Sequence, residues 1–197
     1  MQTTIRRALS VTFTLLLAGC GSGSDSGTTS NGDNTPSGNT ASSAGRLVLL
    51  DPTRSNAVTP ISNLQYWNAG NVSDANGNFT LPSGTTLQLY VGNQAPLAVP
   101  ATTSVTQQNI ASAICSQNAD PTACTYNVAK NLEHFFLSLD SDHNSTNGIQ
   151  LSLIATSLNM AWTVSPDQFA SNLAQQLSAY GQTPSPIRAN LVPYPLD

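Results

Sequence analysis

Charge is scarce in this chain. Only 8% of its 197 residues are Asp, Glu, Lys or Arg, with 6 Lys+Arg against 10 Asp+Glu and a formal net charge of −4. So few scattered cations cannot neutralise a run of phosphates, which sets nucleic acid aside as a partner. A coiled coil or a charge-rich disordered protein would carry far more charge than this. Aromatics are few as well, at 6%. No stretch reaches the roughly 18 uninterrupted apolar residues of a membrane-spanning helix. Also missing are Gly-x-Ser-x-Gly, His-Glu-x-x-His, Ser-x-x-Lys and the P-loop, so no familiar catalytic set offers itself and the reading leans away from an enzyme. A length of 197 residues leaves room for one domain or two small ones.

What is present begins at the amino end. Arg6 and Arg7 form a positive n-region, and Ala8 to Gly19 is a mostly apolar stretch of 12 residues, too short to cross a bilayer. It runs into Leu17-Ala18-Gly19-Cys20, which looks like a bacterial lipobox. That resemblance implies cleavage after residue 19 and a diacylglyceryl thioether plus N-acylation on Cys20. Several acyl chains, at ~0.8 kcal/mol per buried CH₂, hold a membrane far more firmly than one chain does. The partner implied is therefore the membrane, through a lipid anchor on the bacterial cell envelope. Gly21, where an aspartate would suggest inner-membrane retention, points to the outer membrane. Residues 21–45 are Gly, Ser, Thr and Asn with two aspartates, one proline and nothing apolar larger than alanine. This composition predicts a disordered tether with a reach of roughly 27 Å. The chain thus divides into a signal peptide (1–19), the lipidated cysteine and linker (20–45), a β-rich part (46–105) and a helical part with an extended tail (106–197).

In the β-rich part, Arg46 to Leu50 is a short apolar run bounded by Gly45 and Asp51-Pro52, as a buried strand would be. Asn63 to Trp67 is a second strand candidate. Asn76-Gly77 signals a type I′ hairpin. Thr85 to Val91 alternates, with Leu87, Leu89 and Val91 on one side and Thr86, Gln88 and Tyr90 on the other, and Leu97 to Val99 closes the series. Short strands with frequent turns predict a small antiparallel β-sandwich.

Three helices follow. Ser104 with Gln107, or Thr106 with Asn109, caps a first helix running to Cys115. Asp120-Pro121 opens a second, whose apolar stripe is Val128, Leu132, Phe135, Phe136 and Leu139. Ser165-Pro166-Asp167-Gln168 opens a third, with Phe169, Leu173, Leu177 and Tyr180 inward and Gly181 as the stop. The fold class expected is therefore α+β, a β-sandwich with a three-helix segment against it.

Of the three cysteines, lipid takes Cys20, leaving Cys115 and Cys124 as an even pair in an oxidising compartment. Neither a Cys-x-x-Cys spacing nor a suitably placed histidine favours a redox pair or a metal, so the expectation is a structural disulfide worth around 2.5–3 kcal/mol. The one stretch with chemistry in it is Asp140-Ser141-Asp142-His143-Asn144-Ser145-Thr146-Asn147-Gly148. Asp140, Asp142 and Asn144 stand at i, i+2 and i+4, the alternation that turns successive oxygens onto a hard cation such as Ca²⁺. Carboxylates at a helix C-terminus also want a compensating cation. Against an EF-hand, Ser145 replaces the turn glycine and Leu151 the bidentate glutamate, so affinity should be modest. The same residues make Asx turns unaided, and both readings stay open. His134 sits on the second helix beside Phe135 and reads as a packed histidine.

Ser-Asp-x-x-Gly-x-Phe (residues 73–79) resembles the hairpin phrase of transthyretin-like modules such as carboxypeptidase regulatory-like domains. Together with Val91-Gly92-Asn93, Asn131-Leu132, Leu139-Asp140-x-Asp142 and Asn147-Gly148-Ile149, it resembles a module of uncharacterised bacterial lipoproteins and secreted surface proteins over about residues 63–155. This chain departs from that pattern at Val91 and at His143, where glycine is common. The resemblance implies a stabilising, connecting or binding module and no activity. The function expected is a lipid-anchored, non-enzymatic envelope module whose protein or small-molecule partner the sequence does not name. The alternative is an accessory solute-binding subunit of an envelope transport system, which needs an apolar cleft of several hundred Å³.

Overall fold

The computed structural model describes residues 42–51 and 57–186, and Cys20 with the predicted signal and most of the linker lie outside them. The fold class is α+β. Among the described residues nine strands form, β1 (Ser42–Asp51), β2 (Ala57–Ser62), β3 (Gln65–Tyr66), β4 (Asn71–Val72), β5 (Asn78–Pro82), β6 (Leu87–Tyr90), β7 (Leu97–Val99), β8 (Ser104–Thr106) and β9 (Ile149–Gln150). The helices are α1 (Gln107–Cys115), α2 (Pro121–Ser138) and α3 (Pro166–Ser178), with a 3₁₀ turn at Leu153–Ser157.

The strands make two sheets. One has the order β5-β1-β2-β9, with β8 also on β1, and the other the order β4-β3-β6-β7. Pairing is antiparallel except that β8 and β9 join β1 and β2 in parallel. The expected all-antiparallel sheets are corrected there. Both parallel strands are very short, and the long crossovers that parallel pairing requires are the chain through β2 to β7 before β8 and the chain from β3 through α2 before β9. β1 is the hub, with Leu49 opposite Thr59 of β2, Ala44 opposite Thr80 of β5 and Leu47 opposite Val105 of β8. It begins at Ser42, so residues 42–45 of the expected tether belong to a strand, paired with 79–82. Gly, Ser and Ala offer nothing apolar there, and the pairing is backbone to backbone.

Asn76-Gly77 forms neither a type I′ turn nor a hairpin between paired strands. Gly77 N–H donates to Asp74 O at 2.9 Å and Asp74 N–H to Asn78 O at 3.1 Å, and only Gly77 of the two has positive φ, at 76°. This is a type I turn followed by a left-handed glycine. The Asp74 carboxylate decides it, accepting the N–H of Asn76 and of Asn78, each at 2.8 Å. The turn carries the chain from β4 in one sheet to β5 in the other.

Apolar residues of both sheets and all three helices share one core. Leu87, Leu89, Val99, Val128, Leu132, Phe135, Phe136 and Phe169 are all fully buried within it. The helix starts follow their caps. Thr106 and Asn109 form a capping box on α1, the Asp120 carboxylate accepts from Ala123 N–H, and Ser165 Oγ from Gln168 N–H. Past α3, Gln182 N–H reaches Leu177 O and Gly181 N–H reaches Ser178 O, the Schellman closure that the left-handed Gly181 permits. Cys115 and Cys124 are joined, S–S 2.00 Å with Cα atoms 5.8 Å apart, tying the end of α1 to the first turn of α2.

Gly77 meets two demands at once. Its φ is +76°, and a Cβ there would run into the Leu47 carbonyl oxygen, whereas Gly84 has φ +74° with open space around it. Gly84→Ala should therefore lose about 1 kcal/mol of stability and Gly77→Ala about 2–4 kcal/mol in urea unfolding. Equal losses would show that the close approach to β1 contributes nothing.

Candidate functional site

α2 carries the candidate site at its end. The Leu139 N–H closes the last turn onto Phe135 O at 3.1 Å, and the chain then reverses through an antiparallel bridge between Asp140 and Leu151. Ser141 N–H to Gln150 O and Ser152 N–H to Leu139 O, both 2.9 Å, zip the base of the loop. Ile149 is fully buried and pairs with Ile61, so β9 anchors the far side. The loop is thus held by the core at both ends.

Within it, polar side chains bond their near neighbours. Asp142 Oδ1 accepts from Asn144 N–H at 3.0 Å and Oδ2 from Asn147 Nδ2 at 2.7 Å. Asn144 Oδ1 accepts from Thr146 N–H at 3.3 Å and Thr146 Oγ1 at 2.6 Å. These are Asx turns in series. Asp140 differs from its neighbours. Its side chain is 2% exposed, Oδ1 accepts from Gln150 N–H at 3.0 Å, and Oδ2 has no donor among the described residues. The carboxyls of Asp140 and Asp142 lie within hydrogen-bonding reach of each other. Burial pushes the Asp140 carboxyl above the usual carboxylate range, and Asp142 beside it adds to that, against the Gln150 hydrogen bond. The hydrogen bonds from Asn147 and Asn144 hold the exposed Asp142 carboxyl below that range.

Of the three sequence candidates, the structure brings Asp140 and Asp142 together and turns the Asn144 oxygen onto Thr146. No three His, Cys, Asp or Glu side chains converge as a metal-binding group among the described residues. His143 stands where the related pattern favours glycine, and its φ is +55°, which gives that preference a physical reason. His134 is nine-tenths buried, its ring 6.4 Å from that of Phe169 and its Nε2 2.8 Å from Ser185 O. Burial lowers its pKa.

Sequence reasoning named Asn131 within a motif and Gln107 as a capping partner, but missed what they and Ser138 fasten. Asn131 Nδ2 donates to Trp162 O at 2.8 Å and to Val164 O at 3.0 Å, pinning the segment before α3 onto α2. Gln107 clamps β1 through its own carboxamide, donating to Leu50 O at 2.8 Å and accepting from Leu50 N–H at 2.9 Å. Ser138 Oγ accepts from Ser185 N–H at 3.0 Å, and Ser185 Oγ donates to Leu137 O at 2.8 Å. Beyond the motif that contains Asn131, the sequence signal such residues leave is an amide or hydroxyl among apolar helix residues.

Two outcomes follow from this geometry. His143→Gly should stabilise the fold by about 0.5–1 kcal/mol, the left-handed penalty outweighing the added chain entropy, and a lower melting temperature would refute this. His134 is depressed in the folded state, so the unfolded chain takes up its proton first. Its contribution is present above about pH 6.5 and is lost as pH falls through the lowered folded value. Chemical denaturation from pH 7 to 5 should show that slope, and His134→Gln should flatten it.

Compared with protein-family models, with curated proteins and with solved structures, the chain matches none, so its reading rests on its own chemistry.

Proposed function

We propose that this protein is a lipid-anchored component of the bacterial cell envelope, on the outer membrane, acting as a non-enzymatic binding or structural module. One observation carries the reading: Cys115 and Cys124 bond to each other, which leaves Cys20 alone, at the position the lipobox requires. A disulfide suits an exported protein, because the cytosol keeps such thiols reduced.

The resemblance to lipoprotein and surface-protein modules with a transthyretin-like β part belongs to the same proposal. Its support is that the spaced motif residues each hold the fold. Ser73 Oγ donates to Ile61 O at 2.7 Å and accepts from Leu64 N–H at 3.1 Å. Asp74 shapes the turn, Gly77 admits β1, and Phe79 fills the core at 2% exposure. Asn93 N–H meets Leu158 O at 2.7 Å, Asn131 pins the approach to α3, and Asn147 holds Asp142. A motif of this kind maintains a scaffold.

The solute-binding alternative needs an apolar cleft. Among the described residues the hollow between Leu64, Val72, Tyr90, Phe135, Leu151 and Leu153 holds about 160 Å³, and one over Ala98, Pro100 and Ala113 about 380 Å³, against roughly 300–1,000 Å³ for typical ligand pockets. The second hollow is at the low end of that range, so the module reading rests on the cysteine pairing and the motif and not on cavity volume.

In detergent phase separation of the protein expressed in a bacterial host, the wild type should enter the detergent phase and Cys20→Ala the aqueous phase. Mass spectrometry of the amino-terminal peptide should find acylated Cys20. A water-soluble wild type with Met1 intact would end the proposal.

A further inference from the structure

We propose that Asp140 and Asp142 form the core of a Ca²⁺ site at the end of α2, a site independent of how the protein is anchored. The buried carboxylate is the reason. Asp140 is 2% exposed, yet Oδ2 has no donor among the described residues while Oδ1 is held by Gln150 N–H at 3.0 Å. A buried anionic oxygen without a partner is costly. The group in reach of this carboxyl is a second carboxyl, that of Asp142, which is itself fixed by Asn144 and Asn147. Two carboxyls set against each other must share a proton or hold a cation between them.

Among the described residues His143 is the group near Asp140 able to carry positive charge, and it lines the hollow beside that carboxyl. The last turn of α2 holds no basic residue, and its free carbonyls add negative potential at that point. Fully buried Leu139, Ile149 and Leu151 flank Asp140 and keep it from turning away. A hollow of about 210 Å³ borders Asp140, with His143, Ser145 and Ser185, and another of about 160 Å³ borders Asp142, so each carboxyl has space for water beside it.

The donors on these two side chains are oxygens, which selects a hard cation. Ca²⁺ tolerates irregular ligand sets, whereas Mg²⁺ demands a near-ideal octahedron and gives up water reluctantly. With two carboxylates as its core, the site belongs in the range of roughly 10⁻⁴–10⁻³ M seen for extracellular modules. His143 at the hollow makes Zn²⁺ the competing ion.

The test uses the full chain in detergent, titrated calorimetrically with CaCl₂ and melted in EDTA, CaCl₂, MgCl₂ and ZnCl₂. At ten times the dissociation constant, Ca²⁺ should raise the melting temperature by about 3–5 °C over EDTA. Mg²⁺ should do less. Asp140→Asn keeps an acceptor for Gln150 N–H and removes the charge, so it should melt higher in EDTA and lose the calcium response. Asp142→Asn, at an exposed position, should also lose that response, and it decides the matter should the first variant fail to fold. Asp74→Asn, in a different tight turn, should retain it. Absence of binding up to 10 mM, a response confined to Zn²⁺, or an unchanged response in Asp142→Asn would overturn the proposal.

Discussion

A helix buried on nearly every face has to find a partner for each polar group it brings inside, and α2 imposes that demand on the rest of the molecule. Residues 131–138 are all buried, including Asn131, Glu133, His134 and Ser138. Apolar packing against α1 and α3 holds one set of faces. The polar ones are covered by chain that returns to them, residues 162–164 onto Asn131 and Ser185 onto His134 and Ser138. The segment before α3 and the stretch after it therefore act as straps whose backbone meets Asn131 Nδ2, His134 and Ser138, while Asn131 Oδ1 has no partner among the described residues. The aromatic contacts of Trp162 with Phe135 at 5.1 Å and Phe169 at 5.3 Å lie under the first strap.

The loop after α2 inherits its rigidity from this arrangement. It is anchored by Leu139 on the helix and by Ile149 in a sheet, so its carboxylates cannot drift apart into solvent as free loop residues would. Asx turns satisfy Asp142 and Asn144 locally, while burial isolates Asp140. One loop thus contains a solvated, hydrogen-bonded carboxylate and a desolvated one side by side. That inequality gives the site its chemical character, since identical residue types acquire opposite pKa shifts from their surroundings.

Much of the architecture was legible where local rules dominate. Caps and N1 prolines located α2 and α3, the stripe Val128, Leu132, Phe135, Phe136 and Leu139 named core residues correctly, and the alternation at Leu87 and Leu89 named a strand face. Strand β2 went unread because Pro60 interrupts it; the proline falls just outside the ladder with β9, which begins at Ile61. β8 and β9, at three and two residues, are too short to leave a pattern. The stripe alone suggested a one-sided helix, and the burial of Asn131 and His134 on its other faces depends on segments about 30 and 50 residues away.

The amino-acid sequence by itself determined the features set by neighbours in the chain: the helix starts, the glycine turns, the alternating strand and the spacing of acidic residues in the loop. Capping and turn formation act over a few residues, so a few residues are enough to read them. Only the tertiary structure decided that β8 and β9 run parallel to their partners, that Gln107 completes the β1 ladder, and that Asp140 is buried beside Asp142 while Asn144 turns to Thr146. Those outcomes depend on which distant backbone atoms come within about 3 Å of each side chain, and no short stretch of sequence contains that information.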